Sequence, residues 1–566
     1  MKKLTSLFIC LYSVFAFSQD LMVTDISPST QSLSATPTDA ITITFNQKIN
    51  EASLNADTFM VFGRWSGPMQ GTYIFDDIST SVTFTPDRSF FYGEWISVRL
   101  TNQVESLINN PLTNGYGFEY WIKTLPGLLN QEYMGQIEMR QNGETFIQCY
   151  GAYAGDVNDD EFSDLIVVNE DSEDIRILLN DGAGNYDGTF TLIEMPASTK
   201  PSTNGGADFN RDGMIDLAIG STQSNQTSIF MGNDSSIFDA ETSHSVGTGV
   251  RGLTIIDFNG DGWADIVTAN RVSGTISFLE NDGTGDFNPA THMDVGINGE
   301  TAIAATDLNG DGFTDLIVGG YSGNAVASLL NDGEGNFTTQ DITTINGQPW
   351  MIAIGDVNGD GFVDVATANS NTPTVSILFS DGLGNFNLSQ DYAVGSFPLA
   401  IDLGDLDGDG DLDVMASNYS GSFTLYENIG NGLYSNPITY PSIIAGSCTV
   451  FHDRNNDGAL DITLIDELAD VVILYRNTPI LSSNDNNLTE NISLYPNPFN
   501  NSLFLNNTFN DEVDFKLYDL LGRLVYAEVI EHSNQIQLNG IALKDGLYIA
   551  ELNYKNTKTT IKLLKN

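Results

Sequence analysis

Asp356-Val-Asn-Gly-Asp-Gly-Phe-Val-Asp364 reads as D-x-N-x-D-G-x-x-D, and the chain carries seven such stretches. The other six run from Asp156 to Asp164, Asp208 to Asp216, Asp257 to Asp265, Asp307 to Asp315, Asp405 to Asp413 and Asp453 to Asp461. Successive first aspartates lie 52, 49, 50, 49, 49 and 48 residues apart. A fixed period of this size signals a repeat architecture.

Oxygen side chains at positions 1, 3, 5 and 9 of a tight loop are a donor set for a hard cation. Calcium, with roughly six to eight oxygen ligands and flexible geometry, suits it. The candidate ligands are Asp156, Asn158, Asp160 and Asp164, then Asp208, Asn210, Asp212 and Asp216, then Asp257, Asn259, Asp261 and Asp265. Asp307, Asn309, Asp311 and Asp315 continue the series, followed by Asp356, Asn358, Asp360 and Asp364. Asp405, Asp407, Asp409 and Asp413, and then Asp453, Asn455, Asp457 and Asp461, complete it. Up to seven Ca2+ are expected. Gly361 allows the positive φ of the sharp turn, and the sixth position is Gly in every copy except the first, which has Glu161. The first loop therefore ranks as the weakest. The sixth ranks as the tightest, because Asp407 adds a fourth carboxylate. Asx-rich turns without metal are the alternative, but unneutralised carboxylates crowded together repel one another.

Between the loops the pattern repeats: an apolar strand (Trp350-Met-Ile-Ala-Ile354), the acidic loop, a second apolar strand, a polar turn, a third strand, a Gly-rich hairpin (Asp381-Gly-Leu-Gly-Asn-Phe386) and a fourth strand. Four strands per unit, seven times over, predict a seven-bladed β-propeller across 130–478. After the last loop only two strands follow, so Gln136-Ile-Glu-Met139 or Thr145-Phe-Ile-Gln148 is expected to complete the seventh blade and leave no open edge. Cys149 and Cys448 would then face each other as a disulfide or as two buried thiols. These repeats resemble the FG-GAP/VCBS family, also seen in integrin α-subunits, and that resemblance implies calcium at the matching loop positions.

The flanks differ in character. Met1 to Ser18 has Lys2 and Lys3 before an apolar run, the pattern of a secretory signal peptide. Period-two alternation in 20–125, as in Ala40-Ile-Thr-Ile-Thr-Phe45, predicts an antiparallel sandwich. It resembles bacterial Ig-like domains and reads as a spacer. Residues 479–490 form a polar linker. From 491 to 566, Leu494-Tyr-Pro-Asn-Pro-Phe-Asn500 and Phe515-Lys-Leu-Tyr-Asp-Leu-Leu-Gly-Arg-Leu-Val525 resemble the C-terminal sorting domain of type IX secretion cargo. This resemblance implies export across an outer membrane, by way of the type IX machinery, to the extracellular space or the cell surface. The expected fold is thus all-β, with sandwiches at both ends of the propeller.

With 74 acidic and 22 basic residues the net charge is −52, which argues against nucleic acid or an anionic membrane as partner. No later stretch is apolar and long enough for a transmembrane helix. Strand alternation places the acidic loops at one end of the propeller, and Arg251, Arg271, Tyr321, Trp350, Phe397 and Tyr419 at the other. Six residues before each loop, Tyr150, Ser202, Arg251, Thr301, Trp350, Leu399 and Ser447 ring the axis. Such a rim could stack on a sugar or clasp an acidic group, or its aromatics could simply pack between blades. The resulting reading is a calcium-binding recognition or adhesion module for an extracellular glycan or protein. A polysaccharide-degrading, lyase-like enzyme is the alternative. Lys200, His244, His292 and His452 fall at unrelated repeat positions and form no catalytic constellation.

Overall fold

Every propeller repeat folds as one four-stranded antiparallel sheet. The computed structural model describes residues 20–233, 237–479 and, with short gaps, 492–565; the signal-peptide reading and most of the linker lie outside the described residues. The chain divides into two units, 1–479 and 480–566. In the fifth blade Pro349–Gly355, Asp364–Asn369, Thr374–Ser380 and Phe386–Ala393 pair in order. The second strand of each blade, from Asp164–Asn169 to Asp461–Asp466, is buried at all of its positions. Neighbouring blades cover both of its faces, so its sequence is a nearly continuous apolar run rather than an alternating one.

The ring closes as expected. The seventh blade combines Gly446–His452, Asp461–Asp466 and Val471–Arg476 with the earlier strand Glu132–Glu138, which places Ile137 opposite Val472. The other candidate, Thr145 to Gln148, stays outside the strands. The innermost strand of the first blade lies beside that of the seventh, and Cys149 and Cys448 are buried free thiols in a shared core. A hairpin asparagine then ties blades together. Asn281, Asn331 and Asn428 donate through Nδ2 to the carbonyls of Phe209, Phe258 and Val357, each in the acidic loop of the preceding blade. Asn180 does the same to Arg454, joining the first blade to the last.

Residues 20–125 form two four-stranded sheets, with Val23–Ser27, Ile41–Phe45, Ser81–Pro86 and Gly71–Phe75 in one and Gly67–Pro68, Phe59–Gly63, Trp95–Leu100 and Tyr116–Trp121 in the other. The spacer reading is wrong, because this sandwich is docked on the propeller end that bears the acidic loops. Asn102 and Gly117 donate backbone N–H groups to the carbonyls of Gly260 and Gly312 at 2.8 and 2.7 Å. Thr124 Oγ1 donates to the Asp405 carbonyl at 2.8 Å. Arg64 reaches Asp402 at 3.2 Å, and Trp65, only 1% exposed, joins the propeller core around Met139 and Cys149. Beneath the sandwich lies a cavity of about 380 Å³, lined by Arg64, Tyr153, Asn204, Asp402 and Cys448 among others. The C-terminal unit is a separate pair of sheets, of three and four strands, around Leu503, Leu505, Phe515, Leu517 and Leu552.

Burial of Trp65, and the ion pair of Arg64 with Asp402, make the sandwich part of the propeller's stability. A chain beginning at Leu128 is expected to melt roughly 5 °C or more below the full chain in a thermal unfolding scan. Equal melting temperatures would restore the spacer reading.

Acidic loops at one end and an aromatic rim at the other

Each acidic loop winds around its own carboxylates. In the fifth, Asp356 accepts N–H groups from Asp360 at 3.2 Å and from Gly361 at 2.7 Å. Asn358 accepts from the Asp360 N–H at 2.8 Å, and Asp360 from that of Phe362 at 2.9 Å. The ninth residue has a further task. Asp364 is fully buried and accepts from Ser380 N–H at 2.9 Å and Val357 N–H at 3.2 Å, fastening the loop to the third strand of its blade. Asp315 and Asp413 repeat the arrangement with Asn331 and Leu308, and with Asn428 and Leu406. With no counter-charge beside them, these carboxylates resist ionisation. Burial pushes Asp364 and Asp315 up to about 8, and Asp405 and Asp407 up to about 6.

The donor sets differ in how well they fit a cation. In the sixth loop Asp405, Asp407 and Asp409 each offer an oxygen within 4.8 Å of the others. Asp407 Oδ1 there, and Asp257 Oδ1 in the third loop, are buried without a hydrogen-bond partner among the described residues. Both loops fit. The first does not, because Arg88 of the sandwich lies 3.1 Å from Asp156 and 2.8 Å from Asp159 and already supplies a positive charge. Its Glu161 holds φ at +66° where all six other loops have glycine. Sequence reasoning ranked this loop weakest on Glu161 alone and missed Arg88, which no periodicity connects to the loop. In the seventh loop Arg454 comes within 3.4 Å of Asp461.

At the opposite end one backbone irregularity recurs in all seven blades. The innermost strand of each breaks register at the same place: between Cys149 and Gly151, Pro201 and Asn204, Val250 and Gly252, Glu300 and Ala302, Pro349 and Met351, Pro398 and Ile401, and Gly446 and Cys448. The skipped residues include Tyr150, Ser202, Arg251, Thr301, Trp350, Leu399 and Ser447, the seven positions assigned to the axis. A bulge re-aims a side chain, and here it turns residues from distant blades toward one another. Trp350 Nε1 donates to Tyr150 Oη at 2.7 Å. The Arg251 guanidinium lies 5.2 Å from the Tyr150 ring and 5.3 Å from the Trp350 ring, and pairs with buried Glu170 at 2.8 Å.

The six predicted rim residues therefore join one cluster but divide in two. Arg251 and Trp350 are pillars, tied to Tyr150 and Glu170. Phe397 and Tyr419 remain 41% and 37% exposed, with ring centroids 6.0 Å apart. Phe397 lies 6.2 Å from Trp350, which meets Tyr321 edge-on at 5.3 Å. Arg271 packs against both of these rings, 4.3 Å from Tyr321 and 4.9 Å from Trp350. Phe397 also holds φ at +57°. The residue at this place is Gly249 or Gly299 in two other blades and Gln148 or Lys200 in two more, all at positive φ, and for a bulky side chain that backbone is strained by about 1–2 kcal/mol. Beside the cluster Glu467 is 3% exposed and its Oε2 has no hydrogen-bond partner among the described residues. Burial, and then the charge of Glu170, push it up to about 8.

The remaining candidates lie elsewhere. His452 is buried between Ser163 and Thr463 at 2.9 and 2.8 Å, His292 contacts Ser277, His244 faces Asp286 and Lys200 pairs with Asp171.

Comparison with known families places names on these parts. The FG-GAP-like repeat matches six times in overlap across residues 156–464. The secretion system C-terminal sorting domain matches 493–566, and the bacterial Ig-like domain matches 18–121. The sorting domain directs type IX secretion to the extracellular space or the cell surface, and none of the described helices is long and apolar enough to cross a membrane. No curated protein matches the sequence. Among solved structures, BBS1N in complex with ARL6DN is similar at 13% identity and a TM-score of 0.42, covering 62% of this chain and 98% of that one. A lectin of Agrocybe aegerita that recognises non-reducing terminal N-acetylglucosamine is similar at 16% identity and a TM-score of 0.39, covering 74% and 98%.

Glu467 gives the rim a pH signature. Its ordinary value of 4.5 is raised to about 8 in the folded chain, so between those values the folded state holds the extra proton. Stability is lost as pH rises through this window. Glu467→Gln is therefore expected to raise the melting temperature at pH 8.5 by about 3 °C more than at pH 5. An equal change at both pH values would contradict this.

Proposed function

We propose, from the premise that this chain belongs to the FG-GAP-like repeat family and is a secreted surface protein, that it is a glycan-recognition module which binds with the end of its propeller away from the acidic loops. The observation that carries this reading is the division of the two ends. The sandwich covers the loop end, whereas the far end displays Phe397 and Tyr419 in half-exposed form on a base of Trp350, Tyr321 and two arginines. Aromatic faces joined to polar groups suit the apolar faces and hydroxyl edges of sugars. Phe397 supports the same reading, since its backbone is strained for a ring that stays partly in solvent. Strain of this kind gathers at functional positions.

Calcium in this reading is structural. Asp and Asn side chains at positions 1, 3, 5 and 9 of the second to seventh loops would hold it, and in the second to sixth it would supply a positive charge that no ion pair among the described residues provides. No observation favours the polysaccharide-cleaving alternative: the propeller histidines are engaged with Ser163, Thr463, Ser277 and Asp286 rather than with the rim.

The test is retention of the full chain on a glycan panel in millimolar calcium, beside Phe397→Asn, because Asn tolerates the left-handed backbone. The expected result is binding to one glycan class that falls about tenfold in the variant, with the melting temperature held within about 2 °C. Unchanged binding would take Phe397 out of the site. Binding lost together with folding would mark Phe397 as a packing residue.

A further inference from the structure

We infer that the ligand of the rim is an acidic saccharide, anchored through an anionic substituent by the Arg271 guanidinium. This inference rests on the glycan reading above and narrows it.

Among described residues, the propeller arginines are otherwise engaged. Arg140 pairs with Asp470, Arg176 with Asp174, Arg251 with Glu170 and Arg454 with Asp461. Arg211 and Arg476 donate to main-chain carbonyls. The Arg271 guanidinium makes no hydrogen bond or ion pair with any described residue; its contacts are the rings of Tyr321 and Trp350. In a chain of net charge −52, acidic side chains are abundant, and a guanidinium without one stands out.

The two rings do more than contact it. Both ring contacts restrain the guanidinium where the two rings meet edge-on, so less side-chain freedom remains to be lost when its N–H edge binds. A planar fork of donors fixed in place matches a carboxylate or sulfate through paired, charge-assisted hydrogen bonds. Arg251 cannot serve in this way, since Glu170 already neutralises it. Glu170 pairs with Arg251 at 2.8 Å, and Glu467 lies beside Tyr419. Phe397 contacts Trp350 in turn, and Tyr419 contacts Phe397. From Arg271 through Trp350 to Phe397 the path is at most about 11 Å, the reach of a short oligosaccharide. A ligand stacked on Phe397 and Tyr419 can therefore extend an acidic group to Arg271.

The test is calorimetric titration of the full chain in millimolar calcium with three probes: trigalacturonate, its methyl ester and a sulfated galactan oligomer. At least one acidic probe is expected to bind more tightly than the neutral ester, with a gap that narrows as salt rises. Arg271→Gln should weaken that probe about tenfold to a hundredfold and leave the ester within about twofold. Whichever acidic probe prevails identifies the anion. If Arg271→Gln fails to fold, Arg271→Lys serves, because a point charge cannot replace the fork and the same probe should still weaken. Equal binding of acid and ester, unmoved by either variant, would overturn the acidic anchor and leave the glycan reading standing. No binding of any saccharide by the unaltered chain, on the panel or here, would overturn both.

Discussion

Crowded carboxylates at the end of the propeller are the constraint to which the rest of the structure answers. Every acidic loop gathers at least three of them, partly out of water, and burial, with repulsion from neighbouring carboxylates behind it, raises several toward neutrality. Removing a charge from water without a partner is among the most costly changes a fold can make. The chain meets the cost in two ways. In the first loop it brings an arginine from another domain, and Arg88 closes on Asp156 and Asp159. In the other loops we propose a bound cation, and the sixth, with three converging carboxylates, has the greatest need of one. The same loops carry the fold mechanically. Their ninth aspartates fasten loop to third strand, their second residues accept the asparagine clamp from the next blade, and the sandwich rests on their backbone.

With one end covered, the other is left open, and there geometry rather than composition does the arranging. A bulge recurs in each innermost strand, and residues at it from distant blades, Tyr150, Arg251 and Trp350, meet one another. Trp350 and Tyr150 lie 200 residues apart in sequence and share a hydrogen bond. Arg251 completes the contact. This plug gives the outer residues a rigid base, and rigidity is what lets Arg271, Tyr321, Phe397 and Tyr419 hold a fixed pattern without a partner domain.

Much of this was legible because repetition is legible. A recurring loop fixed blade number, strand order and the two ends, and the missing fourth strand of the last blade pointed to two earlier stretches, of which the one around Gln136 pairs there. Counting six residues back from each loop identified the axis positions, although the bulge responsible leaves no mark in composition. What escaped were contacts between parts that share no period. The sandwich was mistaken for a spacer because Arg64, Trp65 and Arg88 look like ordinary residues of a β domain. The hairpin asparagines read as turn formers, which they are, while their amide groups also reach the neighbouring blade. Trp350 looked like a stacking surface and is a pillar, whereas the exposed ring belongs to Phe397, whose left-handed backbone shows only in three dimensions.

The most direct measurement is calcium stoichiometry of the purified chain by equilibrium dialysis, with the melting temperature followed through the same titration. The account predicts about six equivalents, one for each loop without Arg88, and a melting temperature that climbs by many degrees as they bind. Seven equivalents would contradict the arginine-filled first loop. No uptake, with a melting temperature indifferent to calcium and to chelator, would contradict the central claim that cations hold the acidic end together.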